Sequence, residues 1–145
     1  MEMFFISNEN EKFNNVMQIR NTVFELEQGA IEEEELDIYD KSENTLYLLI
    51  YDGNKPCATG RIAKTDKGFK IGRIAVIKSQ RGRGTGRILV DALCKKAYEL
   101  GAEKLYVDAQ LHAVAFYQKL GFIPTGENEI TDRGIRHLPM VRNYE

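Results

Sequence analysis

The 145-residue sequence predicts an α/β fold with a mixed central sheet and helices on both faces. Apolar runs separated by short turn sequences predict an antiparallel meander in the N-terminal half. A helical apolar stripe then lies between two strand-like segments, which predicts a right-handed crossover between parallel strands. No linker rich in Pro, Gly or Ser divides the chain, and its length suits one domain, so we predict a single domain over residues 1–145.

The first half of the chain changes pattern several times. Met3–Ser7 predicts a first strand, and apolar residues at mostly helical spacing predict a helix over Glu11–Leu26. The acidic and aperiodic segment Glu32–Asp40 predicts a loop or a short irregular helix. The meander follows, with three predicted strands at Leu46–Tyr51, Cys57–Lys64 and Phe69–Ile77, joined by Asp-Gly and Asp-Lys-Gly turn sequences.

The second half alternates helices and strands. The segment Gly84–Leu100 carries an apolar stripe at helical spacing and is followed by a glycine, which predicts a long helix. Lys104–Ala109 alternates apolar and polar residues and predicts a strand parallel to Phe69–Ile77. A short helix is expected at His112–Leu120 and a final strand at Ile135–Arg142.

Composition excludes several classes of function. The net charge is −2, from 20 basic and 22 acidic residues, so no global basic field favours nucleic acid or anionic lipid. Cys57 and Cys94 lie 37 positions apart with no C-x-x-C pair, which argues against a zinc site and a disulfide scaffold and suggests a reducing compartment. The N-terminus lacks the pattern of a signal peptide, and no apolar stretch approaches the ~20 residues of a spanning helix. We therefore expect a cytoplasmic protein with no metal, nucleic-acid or membrane partner.

The segment that points to chemistry is 81–87, which reads R-G-R-G-T-G-R between a predicted strand and the start of a predicted helix. Glycines let the backbone approach a ligand closely, and a helix N-terminus directs unpaired N–H groups at an anion. Three arginines add positive charge, so the segment predicts a phosphate-binding loop. The spacing fits neither a P-loop nor a G-x-G-x-x-G dinucleotide loop. The alternative is a basic loop with no ligand.

The pattern R-x-x-G-x-G at 81–86, preceded by an Ile-Ala-Val strand, resembles the pyrophosphate-binding motif of the GCN5-related N-acetyltransferases, the GNAT family. A second pattern, A-x-x-F-Y-x-x-x-G-F at 113–122, is typical of that family's second cofactor segment. Arg20–Gln28 and Gly134–Met140 are similar to a branch of small bacterial members like YjcF and ElaA. The resemblance covers most of the chain and implies a GNAT-like fold.

The resemblance also implies that acetyl passes from acetyl-CoA directly to an amine, with no covalent enzyme intermediate. The Ile74–Val76 backbone would pair with the pantetheine arm, and one amide near Ala75 or Val76 would polarise the thioester carbonyl. The amides from Gly82 to Arg87 would hold the pyrophosphate. The implied cofactor-binding residues are Ile74, Ala75, Val76, Arg81, Gly82, Arg83, Gly84, Thr85, Gly86, Arg87, Gln110, Ala113 and Phe116.

Two residues are implied for proton transfer. Tyr117 matches the tyrosine that donates a proton to the departing thiolate, although it would otherwise be a packing residue. Relatives commonly carry a Glu before the Arg of the cofactor strand, and this sequence has Gly72 there, so that candidate base is missing. His137 is the best replacement; the alternatives are a purely structural His137, a role for His112, or a water relay through Glu27 or another carboxylate.

The acceptor is expected to be a small-molecule amine. The acidic run Glu32–Glu35, with Asp37 and Asp40, would attract a cationic amine if it bordered the site, or would be a solvated surface. Arg20, Glu27 and Gln28 are further candidates to face the acceptor. Two other functions stay open, namely an acyl-CoA-binding module without turnover, which Gly72 favours, and a nucleic-acid-binding protein. A homodimer is also expected.

Overall fold

The structure, a computed structural model, describes residues 1–29 and 36–144. Its helices are α1 (Phe13–Arg20), α2 (Thr85–Glu99) and α3 (Val114–Lys119), with a π-helical segment at Asn21–Glu27 and 3-10 turns at Lys78–Gln80 and Leu111–Ala113. Its strands are β1 (Glu2–Ile6), β2 (Leu46–Asp52), β3 (Lys55–Thr65), β4 (Gly68–Val76), β5 (Lys104–Gln110), β6 (Ile123–Pro124), β7 (Ile130–Asp132) and β8 (Ile135–Asn143).

The strands form one mixed sheet in the order β1-β2-β3-β4-β5-β8-β6, with β7 also paired to β8. Strands β1 to β4 are antiparallel neighbours, as expected for a meander with short turns. Strand β5 is parallel to β4, and α2 makes the crossover between them. The predicted mixed sheet, with its antiparallel meander and parallel crossover, is therefore confirmed.

Helices cover both faces of this sheet. Successive side chains of a strand point to opposite faces, and β2 shows this directly. Tyr47 and Leu49 pack in the core that includes α1, whereas Leu48 and Ile50 pack in the core that includes α2. The four side chains are no more than 1% exposed, so β2 is buried on both sides. This explains why its sequence is a continuous apolar run and not an alternating one.

The structure departs from the predicted elements in three places. The helix predicted over Glu11–Leu26 is α1 followed by the π-helical segment, in which Val23 and Phe24 remain buried in the same core as α1. Strands β6 and β7 were not predicted, because two or three residues carry no periodicity and depend on pairing with β8. The acidic run Glu32–Glu35 lies outside the described residues.

The feature that positions the site is the separation of β4 from β5. The two strands pair only through Phe69 with Leu105 and Lys70 with Tyr106, and then diverge. Between the pairs that β4 makes with β3 at residues 72 and 75, β4 carries one more residue than β3. Such a β-bulge bends a strand, and here Arg73 takes a φ of 48°, a left-handed conformation that is costly for a residue other than glycine.

No described helix is long and apolar enough to span a membrane.

Candidate active site

A cavity of about 840 Å³ opens where β4 and β5 diverge. Residues 70–76 of β4 form one wall, and the end of β5 with α3 forms the other. The π-helical segment contributes Val23, Phe24 and Glu27 to the lining, so it borders the cavity as well. The cavity is thus a product of tertiary structure, formed by elements from both halves of the chain.

Most residues that the sequence predicted for the site meet in this cavity. Its lining includes Ile74, Ala75, Val76, Arg81, Gly86, Gln110, Ala113, Phe116, Tyr117 and His137. The others, Gly82, Arg83, Gly84, Thr85 and Arg87, lie in the adjoining loop and the first turn of α2. Within the described ranges, no three His, Cys, Asp or Glu side chains are grouped so that they could hold a metal ion.

The glycine loop has the geometry that an anion requires. Gly82 and Gly84 have φ values of 76° and 81°, which glycine adopts without strain. Helix α2 begins at Thr85, and the amides of Thr85, Gly86 and Arg87 make no hydrogen bond to another described residue. The buried Thr85 hydroxyl also has no hydrogen-bond partner among the described residues. Free N–H groups at the start of a 15-residue helix fit a pyrophosphate group.

The three arginines of this loop differ in their surroundings. Arg81 lines the cavity, where its Nε donates a hydrogen bond to the Val76 carbonyl oxygen (3.0 Å) and its guanidinium forms an ion pair with Glu27. Arg83 is exposed. Arg87 is exposed too, and its Nε lies 3.8 Å from the Asp91 carboxylate. Only Arg81 therefore connects the loop with the interior of the cavity.

Tyr117 is an almost fully buried residue in the lining of the cavity. Its ring packs edge-on against Phe116 and Phe122, with centroid distances of 5.2 and 5.6 Å, and the residue is only 5% exposed. Burial, and secondarily the neighbouring Cys94, raises the pKa of Tyr117 above its ordinary value. The hydroxyl is thus protonated at neutral pH.

His137 contributes an imidazole ring, with its nitrogen lone pair, to the lining of the cavity. It lies on β8 opposite Gln110 of β5, half-buried, with its Nδ1 2.8 Å from the Ile135 carbonyl oxygen. Because a carbonyl oxygen only accepts, Nδ1 of the neutral ring carries the proton, which leaves the lone pair on Nε2. His112 also lines the cavity but is exposed at the 3-10 turn after β5.

A cluster of charged residues lines the same cavity, and Asp37 is the member of it that the sequence singled out. Arg61 of β3 binds both oxygens of Asp37, at 2.8 and 2.6 Å. Arg73 at the bulge contacts Asp37 and Asp132, each at 3.4 Å. Lys70 of β4 pairs with Asp108 of β5 across the point where these strands diverge. The available signal for Arg61 and Arg73 was an arginine followed by Ile-Ala within a predicted strand.

Two residues proposed from sequence to face the acceptor are structural instead. Arg20 and Asp40 are both buried, and the Arg20 guanidinium donates to both Asp40 oxygens at 2.9 and 3.0 Å. Asp40 also accepts hydrogen bonds from the Tyr47 hydroxyl and from Arg61. Burial alone would raise the pKa of Asp40, but these donors outweigh it and hold the pKa well below its ordinary value. Asp40 is therefore not part of a solvated acidic surface.

Gly72 leaves open space beside the charged cluster. It lines the cavity, and a Cβ added there would meet no atom within 4 Å. This position therefore contributes open volume to the cavity and no carboxylate.

Comparison with known proteins agrees with this geometry. The family model described as an acetyltransferase (GNAT) domain matches residues 9–143. The chain is 37% identical over 138 residues to the uncharacterized N-acetyltransferase YjcF of Bacillus subtilis, covering 95% of this chain and 97% of YjcF. It is 31% identical over 131 residues to the protein ElaA of Escherichia coli, covering 88% and 84%.

Solved structures show the same fold. The crystal structure of Escherichia coli ElaA matches with a TM-score of 0.88 and 26% identity, covering 99% of this chain and 100% of that one. An acyl-CoA N-acyltransferase from Pseudomonas aeruginosa matches with a TM-score of 0.85 at 23% identity, covering 98% and 99%. The chain belongs to the GNAT family of N-acetyltransferases, in the branch that includes YjcF and ElaA.

Proposed function

We propose that this protein transfers an acetyl group from acetyl-CoA directly to the primary amine of a small molecule. As a GNAT member it uses an acyl-CoA as cosubstrate; the acetyl group and the small amine are our specific proposal. One observation carries it. A single cavity is lined by Arg81 and Gly86 at the start of α2, whose first amides are free, and also by Tyr117 and His137.

The chain supplies two kinds of backbone contact for an acyl-CoA. The free amides of Thr85, Gly86 and Arg87 would hold the pyrophosphate. Beyond Lys70, no strand of the described ranges pairs with the edge of β4 that faces β5, so the backbone of Ile74–Val76 is open to pair with the pantetheine arm. An amide near Ala75 or Val76 would then polarise the thioester carbonyl.

The two side chains would move protons in opposite directions. His137 Nε2 would take a proton from the amine, because its lone pair is free while Nδ1 is held by the Ile135 carbonyl. The amine nitrogen then forms a bond to the acyl carbon, the carbon–sulfur bond breaks, and the Tyr117 hydroxyl protonates the leaving thiolate. The products are an amide and a CoA thiol, and solvent returns the proton from His137 to Tyr117.

Gly72 favours a second candidate, an acyl-CoA-binding module without turnover. A Cβ added at Gly72 would meet no atom within 4 Å, and this position itself supplies no carboxylate. The base would then be absent unless His137 or a carboxylate such as Glu27 acts through water.

Thermal unfolding with acetyl-CoA, and with ATP and NADH as controls, tests the cosubstrate. A ligand at 100 times its dissociation constant adds ~2.7 kcal/mol, a shift of several degrees. A panel of small amines with thiol release as readout then tests turnover. Selective stabilisation with thiol release supports the acetyltransferase, and stabilisation without release on any amine supports the binding module. Stabilisation by ATP equal to that by acetyl-CoA contradicts both.

A further inference from the structure

Two adjacent residues after α1 connect the two walls of the cavity. Glu27, the last residue of the π-helical segment, pairs with Arg81 on the side of the glycine loop. Gln28, the next residue, exchanges two side-chain hydrogen bonds with Gln110 at the end of β5, at 3.0 and 3.1 Å. All four side chains line the cavity. The two pairs thus join the glycine loop and the end of β5 to the residues that follow α1.

The Glu27 carboxylate occupies the position beside the Arg81 guanidinium where an anionic group of a ligand could bind. The Val76 carbonyl holds Arg81 through Nε, which leaves the outer guanidinium nitrogens for a further acceptor. Glu27 is about one-quarter exposed and Arg81 about half exposed, so solvent weakens the pair. A pyrophosphate at the adjacent helix N-terminus carries more charge and more acceptor oxygens than a carboxylate. It would compete with Glu27 for the same guanidinium.

We propose that Glu27 and Gln28 form a latch across the cleft of the free protein, and that a pyrophosphate-bearing cosubstrate opens it by replacing Glu27 on Arg81. The inference rests on the proposed function, because it takes CoA as the anion. It makes Glu27 a residue that lowers affinity for the cosubstrate. Because Glu27 is the last residue of the π-helical segment, opening the latch releases the end of that segment from Arg81.

The latch is tested by a double-mutant cycle on CoA binding, measured by calorimetry with the full-length chain. We expect Glu27→Gln to tighten CoA binding about two- to fivefold, the range of a partly exposed ion pair. We expect Arg81→Gln to weaken it. In the Arg81→Gln background, Glu27→Gln should leave the CoA dissociation constant unchanged. The guanidinium for which Glu27 and CoA compete is absent from that variant.

Asp91→Asn is the matched control. Asp91 lies beside Arg87 on the first turns of α2, so this change removes one negative charge near the same loop without touching the latch. Equal tightening in Asp91→Asn, or tightening by Glu27→Gln in both backgrounds, would show a general charge effect and overturn the latch. Unchanged or weaker binding in Glu27→Gln would also overturn it. If no variant binds CoA, the proposed function fails and the latch fails with it.

Discussion

The buried carboxylate of Asp40 offers the sharpest test of how this fold supports its cavity. Asp40 accepts hydrogen bonds from Arg20, Arg61 and Tyr47, and it is 1% exposed. Arg61 also binds Asp37, which lines the cavity. The substitution Asp40→Asn keeps the side-chain shape and removes the charge that two guanidiniums share.

The expected cost follows from these contacts. Breaking a buried ion pair by removing one partner costs about 3–5 kcal/mol. Arg61 keeps Asp37 as a partner in the variant, so we expect the lower end, about 3 kcal/mol of unfolding free energy. For a chain of this length that corresponds to a Tm lower by about 10 °C.

Thermal and urea unfolding at neutral pH measure this loss. The matched control is Glu129→Gln, which breaks the exposed ion pair with Arg136. Pairs of that kind contribute about 0–1 kcal/mol, so the control should unfold within about 3 °C of wild type. A variant Asp40→Asn as stable as the control would refute the reasoning, because the buried carboxylate would then contribute no more than an exposed one.

The same carboxylate also sets a pH dependence. Its pKa is lower in the folded protein than in the unfolded chain, where Asp titrates near 3.9. Its stabilising contribution is therefore complete above about pH 4 to 5 and is lost as the pH falls toward the folded pKa. Unfolding free energy measured from pH 6 downward should fall more steeply in wild type than in Asp40→Asn. Parallel curves would contradict the assigned ionisation.

Three further substitutions test the site. Tyr117→Phe should lower kcat at least tenfold and leave the acetyl-CoA dissociation constant within about twofold; unchanged turnover would exclude the acid role. His137→Ala should lower kcat by about 10²-fold, whereas turnover like that of wild type would place the base elsewhere. Gly84→Ala should cost about 1–2 kcal/mol in thermal unfolding, because φ is 81° there. Gly86→Ala is its control: the φ of Gly86 is not positive and its nearest neighbour, Phe116, is 3.7 Å from an added Cβ, so an equal loss would refute strain as the cause.

Local periodicity explains why most of the fold was predictable. The stripe of α2 and the apolar run of β2 are properties of consecutive residues, and the structure places both elements within a few residues of their predicted bounds. The change from α-helix to π-helix after Arg20 was not predictable in this way, because the apolar residues of the π-helical segment still follow helical spacing. Strands β6 and β7 exist through pairing with β8, which no local pattern encodes.

The sequence by itself determined the type of site, because the glycine loop and the A-x-x-F-Y pattern are local motifs whose chemistry depends on neighbouring residues. Its resemblance to the GNAT family also suggested Tyr117 and His137 for proton transfer, with His112 and a water relay through Glu27 as alternatives to His137. Only the tertiary structure decided that Arg81 faces the cavity while Arg83 and Arg87 do not. It also decided that the Arg20 guanidinium forms a buried ion pair with Asp40.

The physical reason is the range of the contacts. Arg20 meets Asp40 across 20 positions, and Gln28 meets Gln110 across 82. Such pairs form because separate elements are brought together when the sheet and its helices bury their apolar faces. The free energy that brings these partners together comes from burial across the whole core. No sequence pattern near either partner therefore predicts the pair.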